Sequence, residues 1–330
     1  MVWTVLGFLQ RNLVWSIPVA MVAGLILGAV VDPSPLRPLI LPVTILMIYP
    51  IMVTLDVRAL VGACRWRMLA LVQLANVLLL PLLGWGLGRA FLADEPYWAF
   101  GLLLMATLPT SGMTISWTRF AGGDVAAAVK MTVVGLLLGS LLVPVYALVL
   151  MGRSIELDLL ATVRSILLVV FVPLIAGVAT QIVLRRGLGE QRFNRDLKPR
   201  FPQLSTVAVL AIIFIAMALR SRVILAEPGQ LLRLLPPLAC FYVIAYVGAT
   251  LVGRWLLPRD QALVLVFSTA MRNLSLALAL AMTVLGPEGA EAALLIAVAY
   301  VLQVQSAAWY VKRADRLVGP PAAETGPEGS

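Results

Sequence analysis

Ten apolar stretches, each near twenty residues long, follow one another along the chain: 13–31, 36–55, 68–92, 97–120, 124–151, 158–184, 203–219, 230–257, 261–285 and 288–311. About twenty apolar residues let a helix cross roughly 30 Å of hydrocarbon, where each backbone N–H and C=O must be satisfied within the protein. The pattern predicts an all-α, multi-pass membrane protein embedded in a lipid bilayer. Composition agrees: 61% of residues are hydrophobic and 12% charged, against about 25% charged in soluble domains. Connections are short except for 185–202, so no separate soluble domain is expected. Residues 1–12 read as an interfacial lead-in, because Met1 to Gln10 lacks a basic n-region and no small-residue cleavage pattern follows. The tail 312–330 ends in a Pro/Gly-rich, weakly acidic stretch and reads as disordered.

The net charge of +9 is a topology signal and not a nucleic-acid site. Ten spans place both termini and the even-to-odd connections on one side, which collects sixteen of the Lys and Arg residues against seven on the other. By the positive-inside rule that side is cytoplasmic, and a cell (inner) membrane is the expected location. Cys64 falls in a loop and Cys240 in span eight, which makes neither a disulfide framework nor a metal site. Histidine is absent, removing the commonest metal ligand and proton carrier. No cofactor and no metal are expected.

Ten spans divide into two sets of five, 13–151 and 158–311, whose odd number makes them topologically inverted, as in many secondary transporters. Pro18 and Gly24 in span one are echoed by Pro173 and Gly177 in span six. Span four contains Leu108-Pro109-Thr110-Ser111-Gly112-Met113-Thr114, where proline removes a donor and glycine loosens the helix. Span nine carries Ser268-Thr269-Ala270-Met271-Arg272-Asn273-Leu274-Ser275 in the matching place. Arg272 lies about 16–20 Å from either end of its span by helical rise. Burying such a cation at mid-bilayer costs about 2.5–3.5 kcal/mol on insertion scales, so it marks a functional site.

These segments resemble the superfamily of bile acid:sodium symporters and arsenical-resistance permeases, over roughly residues 10–312. Met47-Ile48-Tyr49-Pro50-Ile51-Met52 followed by Asp56 is similar to the second-span motif of the arsenite permeases. Asn76 with Pro81 resembles their third-span Asn-x4-Pro, Pro109 to Trp117 their fourth-span motif, and Met271 to Ala277 their ninth. The resemblance implies a ten-helix fold of core and panel, with broken spans four and nine crossing beside the solute. Several positions depart from the family pattern. Thr110 stands where the permeases carry a cysteine, and Ser275 where they carry a glutamate. Ser268 aligns near a carboxylate of the sodium-coupled members, Arg272 with a glutamine, Ile115 with an asparagine and Ala128 with a serine. Thr114 and Thr132 are the hydroxyls left from the sodium set.

Arg272 has three readings: a fixed cation in place of bound sodium, a binder of an anionic solute, or a partner of Asp56 or Asp124. Lys130 either snorkels to the cytoplasmic turn or adds a second positive group beside the site. Asn76 either faces solute at the crossover or satisfies opened backbone. Five tryptophans (Trp85, Trp98, Trp117, Trp255, Trp309) fall near span ends, as an interfacial belt requires. The expected function is secondary transport of a small anionic or metalloid solute, arsenite-efflux-like, by alternating access. Arg272, Asn273, Ser275, Ser268, Thr110, Ser111, Thr114, Asn76, Lys130 and Thr132 would surround the solute or coupling ion, which is a proton or sodium. The rivals are a sodium-coupled organic-anion symporter and a non-transporting sensor on the same scaffold. An enzyme is not expected, because no nucleophile–base pair or paired carboxylates fall within the spans.

Overall fold

The computed structural model describes residues 2–55, 65–152, 155, 159–226 and 228–320. Among these the chain is helical throughout, and its one isolated β-bridge joins Pro109 to Arg272. The principal helices are α1 (Val2–Arg11), α2 (Leu13–Val30), α3 (Ile40–Thr54), α4 (Trp66–Phe91), α5 (Pro96–Thr107), α6 (Gly112–Phe120) and α7 (Val125–Met151). They continue as α8 (Thr162–Leu188), α9 (Phe201–Ala226), α10 (Leu235–Leu256), α11 (Arg259–Ala270), α12 (Leu274–Val284) and α13 (Gly289–Val311). Seven helical stretches are long and apolar enough to cross a membrane, or eight if the α1–α2 pair, bent by 98°, counts as one span. The chain is a multi-pass membrane protein.

Two groups of helices pack within themselves. In the smaller, α9 lies along α2 and α3, α8 covers α3, and α1 lies against α9. The larger gathers α4, α5, α6, α7, α10, α11, α12 and α13. Apolar side chains such as Trp15, Val149 and Trp255 are exposed around the outside, as lipid-facing positions require. The expected belt loses one member: Trp98 is buried against the core, so its indole is a packing element.

Two boundaries differ from the sequence expectation. The seventh stretch was expected to end at 219, ahead of Arg220, but α9 runs on to Ala226. Arg220 is tolerated because Glu288 and Glu291 meet its guanidinium. The connection 185–202 is itself mostly helical, as Glu190–Arg192 followed by a π turn Phe193–Leu197. Asp56 and Cys64 lie outside the described residues.

Prolines shape the helix interiors. Pro81 has no N–H for the carbonyl of Val77, and the hydroxyl of Tyr146 donates to that carbonyl instead. The preceding turn, Ala75–Leu79, widens into a π turn carrying Asn76. Another π turn, Leu167–Phe171, precedes Pro173 in α8.

Candidate functional site at a helix crossing

The fourth and ninth apolar stretches both break near their centres and meet there. Helix α5 stops at Thr107 and α6 begins at Gly112, while α11 stops at Ala270 and α12 begins at Leu274. Between the breaks the two chains run antiparallel, with the Asn273 amide donating to the Leu108 carbonyl at 3.0 Å. Gly135 and Gly139 of α7 admit this crossing. A Cβ on Gly139 would lie 2.4 Å from Cδ of Pro109, and one on Gly135 2.5 Å from Oγ1 of Thr110. Thr110 holds φ at +48°, a left-handed conformation that is strained for a β-branched residue.

Each helix that ends at a break leaves its last carbonyls without an intrahelical donor. Arg272, fully buried, supplies those donors. Its Nε donates to the carbonyl of Met105 at 3.1 Å and its Nη2 to that of Ala106, both in the last turn of α5. Its Nη1 donates to the carbonyl of Thr269 in the last turn of α11 at 3.1 Å, and to Oδ1 of Asn76 at 2.6 Å. Asn76 in turn donates from Nδ2 to the carbonyl of Ser268 at 3.1 Å. The cation therefore sits where two negative helix-dipole ends converge, inside a shell of neutral oxygens.

Arg272 makes no ion pair among the described residues. Asp124 instead caps α7 through the Ala127 amide and lies 3.7 Å from Arg65, which also pairs with Asp260 at 3.0 Å. The Arg272–Asp124 pair, part of the third reading, is thus absent, because Asp124 is engaged at the far end of α6. Pairing with Asp56 falls outside the described residues.

Gln303 of α13 completes the junction. Its Oε1 accepts from the Arg272 backbone amide at 2.8 Å, and its Nε2 donates to the Arg272 carbonyl at 3.2 Å. The Tyr242 hydroxyl donates to the same Oε1 at 3.2 Å. One side-chain amide thus pairs both polar groups of the residue that lost its helical partners. Sequence reasoning missed Gln303; the available signal was a buried amide in mid-span ten.

The opposite, positive ends of the two half-helices also meet at the crossing. Ser111 caps α6 by accepting from the Met113 amide, and Thr114 returns its hydroxyl to the Ser111 amide, forming a capping box. Asn273 caps α12 by accepting from the Leu276 amide at 3.2 Å. Ser111, Gly112, Asn273 and Ser275 are incompletely buried, and a Cβ on Gly112 would meet nothing within 4 Å.

The remaining candidates divide. Ser275 hydrogen-bonds the Tyr300 hydroxyl. Thr110 is buried, with Oγ1 at 3.4 Å from the carbonyls of Met131 and Thr132. Thr132 donates to its own helix at the Ala128 carbonyl, 2.9 Å away, as a structural hydroxyl does. Ser268 is buried with its Oγ unpartnered among the described residues. Lys130 is buried and engaged, not extended into solvent. Met47 and Met52 are packed into the core.

This architecture defines an integral membrane protein built around two broken helices that cross at a buried cation. The chain belongs to the Sodium Bile acid symporter family, matched over residues 41–227, and is a membrane transporter. It is 23% identical over 306 residues to the arsenical-resistance protein Acr3 of Alkaliphilus metalliredigens, covering 85% of both chains. It is 25% identical over 209 residues to the uncharacterized protein YbaS of Bacillus subtilis, covering 62% of this chain and 65% of that one. A shorter match, 36% identical over 133 residues, reaches the uncharacterized protein PA2026 of Pseudomonas aeruginosa, with 39% of this chain and 38% of that one covered.

Proposed function

We propose that this transporter carries a small anionic or metalloid solute past the α6–α12 crossing by alternating access. Its ten apolar stretches would form two inverted five-helix repeats, 13–151 and 158–311, with both termini cytoplasmic. The observation that carries the reading is the placement of Arg272. Its guanidinium fills the seat at the negative ends of α5 and α11 that a bound cation would otherwise take. What remains for the solute is the surface where the positive ends of α6 and α12 converge, flanked by Ser111, Gly112, Asn273 and Ser275. Helix N-termini favour carboxylates and oxyanions, and the tethered charge behind them adds to the same field. Sodium is then unnecessary at this crossing, because the carbonyl shell already holds its cation. The name of the Acr3 relative favours an oxyanion-type solute.

The family description, and relatives named as sodium cotransporters in rice and zebrafish, keep sodium-coupled organic-anion uptake as the second reading. Binding to purified protein separates the two. Arsenite, arsenate and a series of small carboxylates are titrated in sodium and in choline salts. The expected result is binding of equal affinity in both, lost or made sodium-dependent in Arg272→Gln. Wild-type binding that requires sodium, or an Arg272→Gln variant indistinguishable from wild type, overturns the proposal.

A further inference from the structure

Among the polar side-chain contacts resolved between described residues, few join the two helix groups. Tyr49 with Thr180, Gln181 with the Val53 and Leu55 carbonyls, and Ser205 with the Met47 carbonyl all stay inside the smaller group. Asn76, Trp85, Tyr242, Thr250 and Arg272 bond within the larger, and Arg259 bonds the Ala121 and Gly122 carbonyls there and Asp315 beyond α13. Of the side-chain hydrogen bonds and ion pairs resolved between described residues, those of Arg220 cross from one group to the other. Arg220, on α9, pairs through Nη2 with Glu288 at 3.3 Å and with Glu291 on α13. All three side chains are partly solvent-accessible, at 20%, 43% and 22%. Arg220 Nε is buried without a hydrogen-bond partner among the described residues, so the closed arrangement leaves one donor unsatisfied and is not deeply stabilised.

Beside this ion pair, in the same seam, lies a cavity of about 490 Å³. Ile40, Ser165 and Leu219 line it from the smaller group, and Met282, Thr283 and Ala290 from the larger. The seam therefore has free volume next to its polar fastening, while α2 and α9 pack against α13 elsewhere along it. The Arg220 end is also where α12, the half-helix following the Arg272 break, packs on α3 and the start of α8. The main contacts of α6, at the other end, are with α7, α11 and α13 of its own group.

We propose that Arg220, Glu288 and Glu291 form a gate. Their ion pair holds the two helix groups together at one end of the molecule, and its rupture lets the groups part along the cavity and opens a path to the crossing from that side. The charges are exposed enough for water to solvate them when they separate, which keeps the opening barrier low. The gate acts on access and is independent of which solute the crossing binds.

The test reads access directly. In a background with Cys64→Ser and Cys240→Ser, a reporter Thr283→Cys in the cavity wall is labelled with a soluble maleimide on purified, detergent-solubilised protein. Arg220→Gln should raise the labelling rate about tenfold, the factor given by loss of about 1.4 kcal/mol from the closing equilibrium. Glu288→Gln with Glu291→Gln breaks the gate from the other group and should do the same, which protects the test against one variant failing to fold. The charge exchange Arg220→Glu with Glu291→Arg keeps one base and two acids together and should return the rate to its starting value. Unchanged labelling in folded, monodisperse neutral variants overturns the gate, as does a high rate that survives the charge exchange. Anion binding by the unmutated protein is measured separately, so failure here leaves the crossing untouched and failure there leaves the gate untouched.

Discussion

A guanidinium presents five N–H donors in one rigid plane, and at Arg272 that fork spans the ends of two helices and one asparagine. A lysine ammonium has three donors at a single point and cannot reach both helix ends. Arg272→Lys is therefore expected to lower the melting temperature clearly while keeping the positive charge, and a calorimetric scan in detergent measures it. A melting temperature equal to wild type would mean that charge alone, and not the fork, holds the crossing. Gln303 invites a cleaner experiment because it carries no charge. Gln303→Leu leaves the Arg272 amide without a partner in a buried site, while the Arg272 carbonyl keeps the Leu274 amide; an unsatisfied buried polar group costs about 1–3 kcal/mol. The expected loss is of that order in denaturant unfolding, with anion binding weakened as the break loses its register. Gln303→Leu with unchanged stability would show that the amide only fills space.

Helix breaks differ in how plainly they are written. Pro109 and Gly112 announce the first, and the structure places it between Thr107 and Gly112. The second contains neither proline nor glycine, only Met271-Arg272-Asn273. It stays open because Arg272 and Gln303 satisfy the backbone that the missing turn exposes. The first was legible as backbone chemistry; the second only as a misplaced charge. Gln303 was not legible, since its partner lies thirty-one residues earlier in a different helix and no periodicity connects them. The glycines at the crossing give a contrast at this scale. Gly139→Ala forces a methyl against Pro109 and should destabilise the fold or displace the break. Gly112→Ala meets open space, and alanine is favoured over glycine in a helix by about 1 kcal/mol. It should keep or raise thermal stability while weakening anion binding at the α6 N-terminus. Equal losses in both variants would place Gly112 in the packing and not on the solute surface.

Across the whole molecule the membrane path turns on the broken helices. Seven helical stretches are long enough to cross a membrane, whereas α5, α6, α11 and α12 individually are not. Twelve residues rise about 18 Å, short of roughly 30 Å of hydrocarbon. Taken in pairs, residues 96–120 and 259–284 are long enough to cross, and in the proposed arrangement the break bridged by Arg272 would lie at mid-depth. Unbonded backbone is tolerable there only because protein groups meet it, which is what the Arg272 and Gln303 contacts supply. The basic residues then predict which side each connection faces. Alkaline-phosphatase fusions ending at Asp94, Gly152, Gly229 and Gly286 should be active outside the cytoplasm. Those ending at Gly122, Gly189, Pro258 and Arg313 should be inactive. The pairs Asp94 with Gly122, and Pro258 with Gly286, decide whether each broken helix crosses the bilayer. Matching activity within either pair would make that stretch re-entrant and remove the inverted repeat; in the Pro258–Gly286 pair it would also leave Arg272 at the tip of a loop dipping into the membrane from one face.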